Sequence, residues 1–217
     1  MIITLDGPVA SGKSTIARLL ADKLGFYYLN TGIIYRACAY VVLRQGKQID
    51  QATQDDIKQI MTQIAYSYAN GAEKITYNDQ NITAMLTTPA VDEAASKISA
   101  IAWVRPYADA LQRRLVKDKD AVIDGRDSGS VVFADADYKF YITASDTIRA
   151  QRWQKKQKQR NKTFSLQEAL EHIKSRDDRD SHREIAPLVI PHDACVIENN
   201  GNHPEQVVQQ ILSGIKK

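Results

Sequence analysis

Nine residues near the start limit what this chain can become: Gly7-Pro8-Val9-Ala10-Ser11-Gly12-Lys13-Ser14-Thr15 follows directly on the apolar run Met1 to Leu5. A short β-branched strand delivers the chain to a tight turn that glycine permits, and Ser14 to Leu24 has helical spacing. The first amides of a helix have no partners within it, and the helix dipole is positive at the same end, so the turn and the helix start together wrap an anion. Lys13 adds a point charge suited to the β- and γ-phosphates of a nucleoside triphosphate, and the Ser14 hydroxyl suits one coordination position of Mg²⁺. The bland alternative is a glycine-rich turn that only reverses the chain; the strand before it and the helix after it weigh against that.

A chain of 217 residues with 43% hydrophobic content can bury the core of one compact domain with room for an inserted lobe. The formal net charge of only +3 argues against wholesale nucleic-acid or membrane binding, so any basic function has to be local. Cys38 and Cys195 follow no paired spacing and sit in apolar or helical stretches, which predicts two packed thiols in a reducing compartment. No charged-then-apolar leader and no apolar run of bilayer length is present, so a cytoplasmic protein is expected.

In chain order, Ile16, Leu19, Leu20 and Leu24 share one face of the first helix, which Gly25 ends. Phe26 to Leu29 reads as a strand, and Asn30-Thr31-Gly32 as the turn into a second helix whose first turn carries Tyr35 and Arg36 and which Gly46 stops. A helix at Gln54 to Thr62 follows, then three alternating pieces, Ile64 to Tyr68, Lys74 to Tyr77 and Asn81 to Thr83, broken by Asn70-Gly71 and Asn78-Asp79. That is hairpin chemistry, and it predicts a small antiparallel insert able to move as a unit over a ligand. Val91 to Ala102 returns to helical spacing; Arg105-Pro106 should break it, with Arg105 driven out of the α region and a new helix beginning at the proline.

Ala121 to Asp124 is a continuous apolar run ending in a carboxylate, the mark of a buried parallel strand, and Gly125-Arg126-Asp127-Ser128-Gly129 follows at once. Ligands of open α/β sheets sit at the carboxyl ends of the strands, where Asp6, Asp124, Arg126 and Asp127 all fall. Two more strands, Tyr138 to Ile142 and Ala194 to Ile197, and a helix from Pro204 to Leu212 complete the sheet. Between them Arg149 to Lys162 holds seven basic residues and no acidic one, and Arg176, Asp180 and Arg183 recur on one helical face. A solvated basic face, a nucleic-acid patch and a lid over phosphates are the three readings of such a run; the arginines of the second helix favour the lid. Phosphoryl transfer is carried mainly by alignment and by neutralising the equatorial oxygens, which is work for Mg²⁺, lysine and several bidentate arginines. Read from the residues alone, the chain is a P-loop kinase of a small phosphorylated or hydroxylated acceptor with a mobile arginine-rich lid.

The succession Ile3-Thr-Leu-Asp-Gly-Pro8, Ser11 to Thr15, Asn30-Thr-Gly-Ile-Ile-Tyr-Arg36, Asp124-Gly-Arg-Asp127 and Arg176 to Leu188 resembles the bacterial cytidylate kinases over essentially the whole chain. It departs from that family's pattern at Asn30, where aspartate is usual, at Met85-Leu86-Thr87, in place of an acidic-apolar-arginine trio, and mildly at Ser130. The resemblance implies a P-loop kinase fold in the α/β class, with a central parallel sheet flanked by helices, a small antiparallel nucleotide-binding insert and a helical lid. One domain would then divide into a core (about 1–46, 100–148 and 184–217), a CMP-binding insert (about 47–99) and a lid (about 149–183). The activity implied is transfer of the γ-phosphoryl of ATP to CMP or dCMP with Mg²⁺, by a monomer. The loop from Gly7 to Thr15, with Arg149, would hold ATP, and Ser14 the metal. Thr31, Arg105 and Asp127 would read the cytosine edge, Tyr35 would pack on the nucleotide, and Arg36, Arg126 and Arg183 would hold its phosphate. Ser96, Arg176 and Asp180 match the positions that meet the ribose, and Lys13, Arg126, Arg176 and Arg183 are the expected catalytic cations. Other acceptors (UMP, AMP or shikimate) and a nucleotide-dependent switch are the alternatives.

Overall fold

A computed structural model describes residues 1–215; positions 216 and 217, the end of the expected core segment 184–217, lie outside the described residues. Strands β1 (Ile2–Asp6), β2 (Tyr27–Asn30), β6 (Ala121–Asp124), β7 (Tyr138–Thr143) and β8 (Cys195–Glu198) form a parallel sheet in the order β2-β6-β1-β7-β8. In register, Ile2 lies opposite Ala121, Ile3 opposite Tyr138 and Asn30 opposite Asp124. Both faces are covered, which is why the central strands are apolar throughout rather than alternating. Ile3 and Leu5 of β1 and Val122 of β6 pack with α1 (Lys13–Leu24) and α8 (Pro204–Gly214) on one face. Leu29 and Ile123 point the other way, into α2 (Thr31–Arg44) and α5 (Arg105–Val116).

Helix α3 (Gln54–Gln63) opens with a reciprocal cap between Thr53 and Asp56, and β3 (Ile64–Ala69), β4 (Ala72–Tyr77) and β5 (Gln80–Asn81) form the antiparallel sheet. Its turns have left-handed backbone at both central positions, φ 52° and 73° at Asn70-Gly71 and 48° and 61° at Asn78-Asp79, the geometry that tight hairpins require. The third strand is shorter than Asn81 to Thr83: the Thr83 hydroxyl accepts the Ile75 amide at 2.9 Å and donates to Asn81 Oδ1 at 2.7 Å, which curls the chain into a 3₁₀ turn. The sheet is pinned to the main domain by Tyr66, whose hydroxyl donates to the Tyr28 carbonyl at 3.0 Å, and by an Arg18–Glu73 ion pair at 2.6 Å. Ile64, Tyr66, Ile75 and Leu86 belong to the same apolar cluster as α2 and α5.

Four local expectations are corrected. Helix α4 (Pro89–Ile98) stops short of Ala102, which lies in a separate 3₁₀ turn, and the break falls at Ile101 (ψ 117°) instead of at the proline. Arg105 is helical (φ −58°, ψ −45°) as the first residue of α5, because Pro106 in a first turn forfeits no internal hydrogen bond and the steric bias before proline is only a bias. Because α2 already begins at Thr31, Tyr35 and Arg36 lie in its second turn. Cys38 is buried as expected, whereas Cys195 is exposed because β8 is the sheet edge and shows both faces to solvent along most of its length.

Helices α6 (Asp146–Lys158) and α7 (Leu166–Ser181) form a hairpin over the carboxyl end of the sheet, with Ala150, Ala169 and Ile173 at its centre. Trp153 lies between the rings of His172 and Phe164, with centroids at 4.4 and 4.9 Å. Arg183 lies just past the end of α7, so it is off the helical face that Arg176 and Asp180 share, although it still pairs with Asp180.

Candidate active site

The turn after β1 has the shape that its glycines dictate. Gly7 adopts φ +147°, and a Cβ there would lie 2.1 Å from the Ile142 carbonyl oxygen, so no other residue fits without moving β7. Pro8, Val9 and Ala10 (φ 59°) cross the top, and Gly12 (φ 95°) caps α1, leaving Ser14 and Thr15 exposed in its first turn. Lys13 folds back over the turn, its ammonium donating to the Pro8 carbonyl at 2.9 Å. Burial pushes that amine down to about 7, with the nearby Arg126 cation adding to the effect and Asp124, Asp180 and Asp177 opposing it. The Ser11 hydroxyl is buried without a hydrogen-bond partner.

Side chains from three distant segments hold this loop. Arg149 donates to the Val9 carbonyl at 3.1 Å and pairs with Asp177, whose other oxygen accepts the Val9 amide at 3.0 Å. Arg152 and the Asn199 amide both donate to the Ser11 carbonyl, at 3.0 and 2.8 Å. The hairpin α6–α7 is therefore docked on the loop through Arg149, Arg152 and Asp177.

On the other side of Lys13, Asp180 is wholly buried and accepts from Arg126 (3.1 Å) and Arg183, with Arg176 at 3.5 Å. Burial works against its ionisation, but Arg126, Arg176 and Arg183 outweigh burial and hold the carboxyl below the usual range. Three guanidiniums on one carboxylate leave a net positive pocket suited to a phosphate. Beyond it Asp127 pairs with Arg105, which also donates to the Ser99 carbonyl at 3.1 Å and lies 5.9 Å over the Tyr35 ring. Burial raises the Asp127 carboxyl despite the neighbouring Arg105, Arg183 and Arg126. The Thr31 hydroxyl donates to the Asp124 carbonyl at 3.0 Å, and the Tyr35 hydroxyl is buried with no hydrogen bond. Arg105 ties Tyr35 to Asp127, and Asp127 feels the charges of Arg126, Asp180 and Arg183, so these residues, with Arg176 on Asp180 and Thr31 on the Asp124 carbonyl, form one connected wall whose Arg126 and Asp180 end lies near Lys13. Arg36 pairs with Asp92 at 2.7 Å, and the wholly buried Ser96 accepts from Arg179 at 2.8 Å, so both are engaged outside the Asp180 and Asp127 groups.

Sequence reasoning missed Asn199, Asp177 and Arg152 as loop contacts. Asn199 carried a usable signal, since it follows β8 at the carboxyl edge of the sheet. Asp177 and Arg152 are hidden in charged helices, where nothing local separates a loop contact from a solvated residue.

A parallel sheet with a lysine-bearing loop after its first strand, arginines gathered across from it and a basic helical hairpin on top defines a P-loop phosphotransferase. Known structures share the fold: an uncharacterised protein from Eubacterium ventriosum superposes with a TM-score of 0.55 at 12% identity, over 99% of this chain and 98% of that one. A shikimate kinase from Bacteroides thetaiotaomicron does so at 0.50 and 11%, over 98% and 97%. A family model described as cytidylate kinase matches residues 3–217. The chain is 36% identical to the cytidylate kinase of Carboxydothermus hydrogenoformans over 98% of its length and 96% of that protein's. It is 38% identical to that of Mycoplasmoides gallisepticum, over 99% and 93%. The chain belongs to the cytidylate kinase family.

Proposed function

We propose that this protein transfers the γ-phosphoryl of ATP to CMP and dCMP, and that the wall from Thr31 to Arg183 holds the acceptor. The observation that carries this is the buried Asp127–Arg105 pair across from Lys13. Cytosine offers an exocyclic amine as donor with O2 and N3 as acceptors, matching a carboxylate beside a guanidinium and the Thr31 hydroxyl. Uracil puts a carbonyl where the amine stands, facing Asp127 with an acceptor, which disfavours UMP. Arg36, Arg126 and Arg183 hold the acceptor phosphate, Ser96, Arg176 and Asp180 the ribose, and the loop from Gly7 to Thr15, with Arg149, the ATP.

A phosphate oxygen of the acceptor attacks the γ-phosphorus, the bond to the β-phosphate oxygen breaks, and two nucleoside diphosphates leave. Lys13, Arg126, Arg176 and Arg183 neutralise the oxygens along that line and orient the two phosphates. Among the described residues no group of three or more His, Cys, Asp or Glu side chains is placed to hold a metal, and Ser14 presents one exposed hydroxyl. The Ser14 hydroxyl, a hard oxygen donor at the mouth of the loop, would hold Mg²⁺ brought by the triphosphate, and the ion would supply positive charge against the phosphate oxygens.

The core, insert and lid act as three parts of one domain, with residues 149–183 opening to admit ATP. The protein works as a monomer in the cytoplasm, without nucleic-acid or membrane partners. In support, among the described residues no helix is long and apolar enough to cross a membrane, both cysteines are free, and Arg149 and Arg152 of the basic run are engaged with the loop. A coupled assay offering CMP, dCMP, UMP, AMP and shikimate in turn tests the reading. Asp127→Ala should lower kcat/KM for CMP by about a hundredfold with ATP KM nearly unchanged. Lys13→Ala should abolish turnover with every acceptor. Unchanged CMP turnover in Asp127→Ala would remove the base-reading assignment.

A further inference from the structure

One buried carboxylate at this end of the sheet touches neither expected substrate region, yet joins the two. Asp6, the last residue of β1, has no exposed surface, and its two oxygens accept the amides of Ser128 at 3.0 Å and Gly129 at 2.6 Å. These amides immediately follow Asp127, and Asp6 immediately precedes Gly7. β1 is paired on both sides here, Leu5 with Asp124 and Asp6 with Tyr141, so the carboxylate is fixed in place by the sheet. Burial raises its pKa to about 6, the nearby Asp127 charge adds to the rise, and hydrogen bonds from the Gly129 and Ser128 amides and the Ser128 side chain oppose it. The loop that it grips is a single π turn, with the Val132 amide reaching back to the Asp127 carbonyl at 3.2 Å. The Phe133 amide closes the turn a second time, on the Ser128 carbonyl at 2.7 Å, so the residue whose amide Asp6 holds is also the one on which the turn ends. Packing around the anchor is tight: a Cβ on Gly129 would stand 2.6 Å from Thr4 Oγ1 and 3.4 Å from Asp6 Oδ2.

We propose that Asp6 is a positioning residue for the acceptor: its two amide bonds hold the 126–129 turn so that Asp127 and Arg126 face the phosphate loop at the right separation. This rests on the reading that Asp127 and Arg126 meet CMP. An asparagine in the same place can accept only one of the two amides and presents its own N–H groups to the other. The turn then shifts while the loop, built on Gly7 and the β7 carbonyl, keeps its shape.

The test is steady-state kinetics with a melting control on three variants. Asp6→Asn is expected to raise the KM for CMP by about tenfold or more and leave that for ATP within about twofold. Gly129→Ala, which pushes the turn from the other side, should shift in the same sense, and Gly129→Ala/Thr4→Ala should recover most of the loss. The Thr4 hydroxyl is buried without a hydrogen bond, so its removal forfeits none. A merely structural role would raise both KM values together with a fall in Tm, and that result, or a wild-type CMP KM in Asp6→Asn, overturns the proposal. If Asp6→Asn does not fold, the Gly129 pair decides: no rise in Gly129→Ala, or no recovery in the double variant, overturns it. Asp127→Ala in the same series separates the two readings. A wild-type CMP KM there is a failure of the site assignment, whereas a raised one beside an unaffected Asp6→Asn is a failure of this inference alone.

Discussion

Asp180 shows how one side chain serves folding and site together. Its burial is tolerated only because Arg126, Arg176 and Arg183 surround it, and removing one member of such a group leaves uncompensated charge. Asp180→Ala is expected to cost about 3 kcal/mol in urea unfolding. Adding CMP should restore more stability to this variant than to the wild type, since a phosphate monoester replaces the missing anion; equal gains would count against the phosphate assignment. The pH dependences of buried Asp180 and buried Asp6 have opposite signs. Asp180, depressed in the folded state, adds stability above the ordinary carboxylate value, and that stability is lost as the pH falls through its folded value. Asp6, raised from 3.8 to about 6, removes stability as the pH rises across that interval, and Asp127 is shifted in the same direction. Unfolding free energies measured at stepped pH should therefore rise more steeply between these values in Asp6→Asn than in the wild type.

At the level of elements, the α6–α7 hairpin has the smallest of the three apolar clusters among the described residues, centred on Ala150, Ala169 and Ile173, with Trp153 packed against His172 and Phe164. Elements with few buried contacts open at low free energy, which suits a part that must admit and release nucleotides. Trp153→Ala should remove about 3 kcal/mol from this hairpin alone. Hydrogen exchange would show faster amides in α6 and α7 with β6 unchanged, alongside a raised KM for ATP. Equal acceleration in β6 would mean that the hairpin does not open independently. Of its basic run, Arg149 and Arg152 face the loop, each donating to a loop carbonyl, while Lys155, Lys156, Lys158 and Lys162 are exposed. That is why a run that reads as a solvated face is partly buried.

Across the whole molecule, the antiparallel insert is joined to the sheet by a shared core and by Tyr66, whose hydroxyl donates to the Tyr28 carbonyl with the Glu73 carboxylate 3.2 Å away. With a third strand of only two residues and its apolar face merged into the main core, the insert is close to a lone hairpin, which is marginal, and it should have no unfolding transition of its own. Denaturation followed by circular dichroism and by Trp103 fluorescence, in a Trp153→Phe background, should coincide. Tyr66→Phe should lower the common midpoint by an amount equivalent to about 1–2 kcal/mol, because the Tyr28 carbonyl loses its partner. Two separated transitions would show an insert folding on its own.

Local chemistry made the loop, the five parallel strands and both hairpin turns legible, since each depends on residues that are neighbours in sequence: Gly7 before a helix, or Asn70-Gly71 between alternating runs. Arg105 marks the limit of such rules, because a propensity to leave the α region lost to a helix start that the rest of the fold had already placed there. Which carboxylate meets which cation was decided only in three dimensions. Asn199 reaches Ser11 across 188 positions and Asp177 reaches Val9 across 168, and no spacing encodes either pairing. The sequence by itself determined that a phosphate loop would stand at the end of a parallel sheet, because backbone conformation is a local property. Only the tertiary structure decided how the opposing wall faces that loop, because desolvated charges choose partners by distance in space.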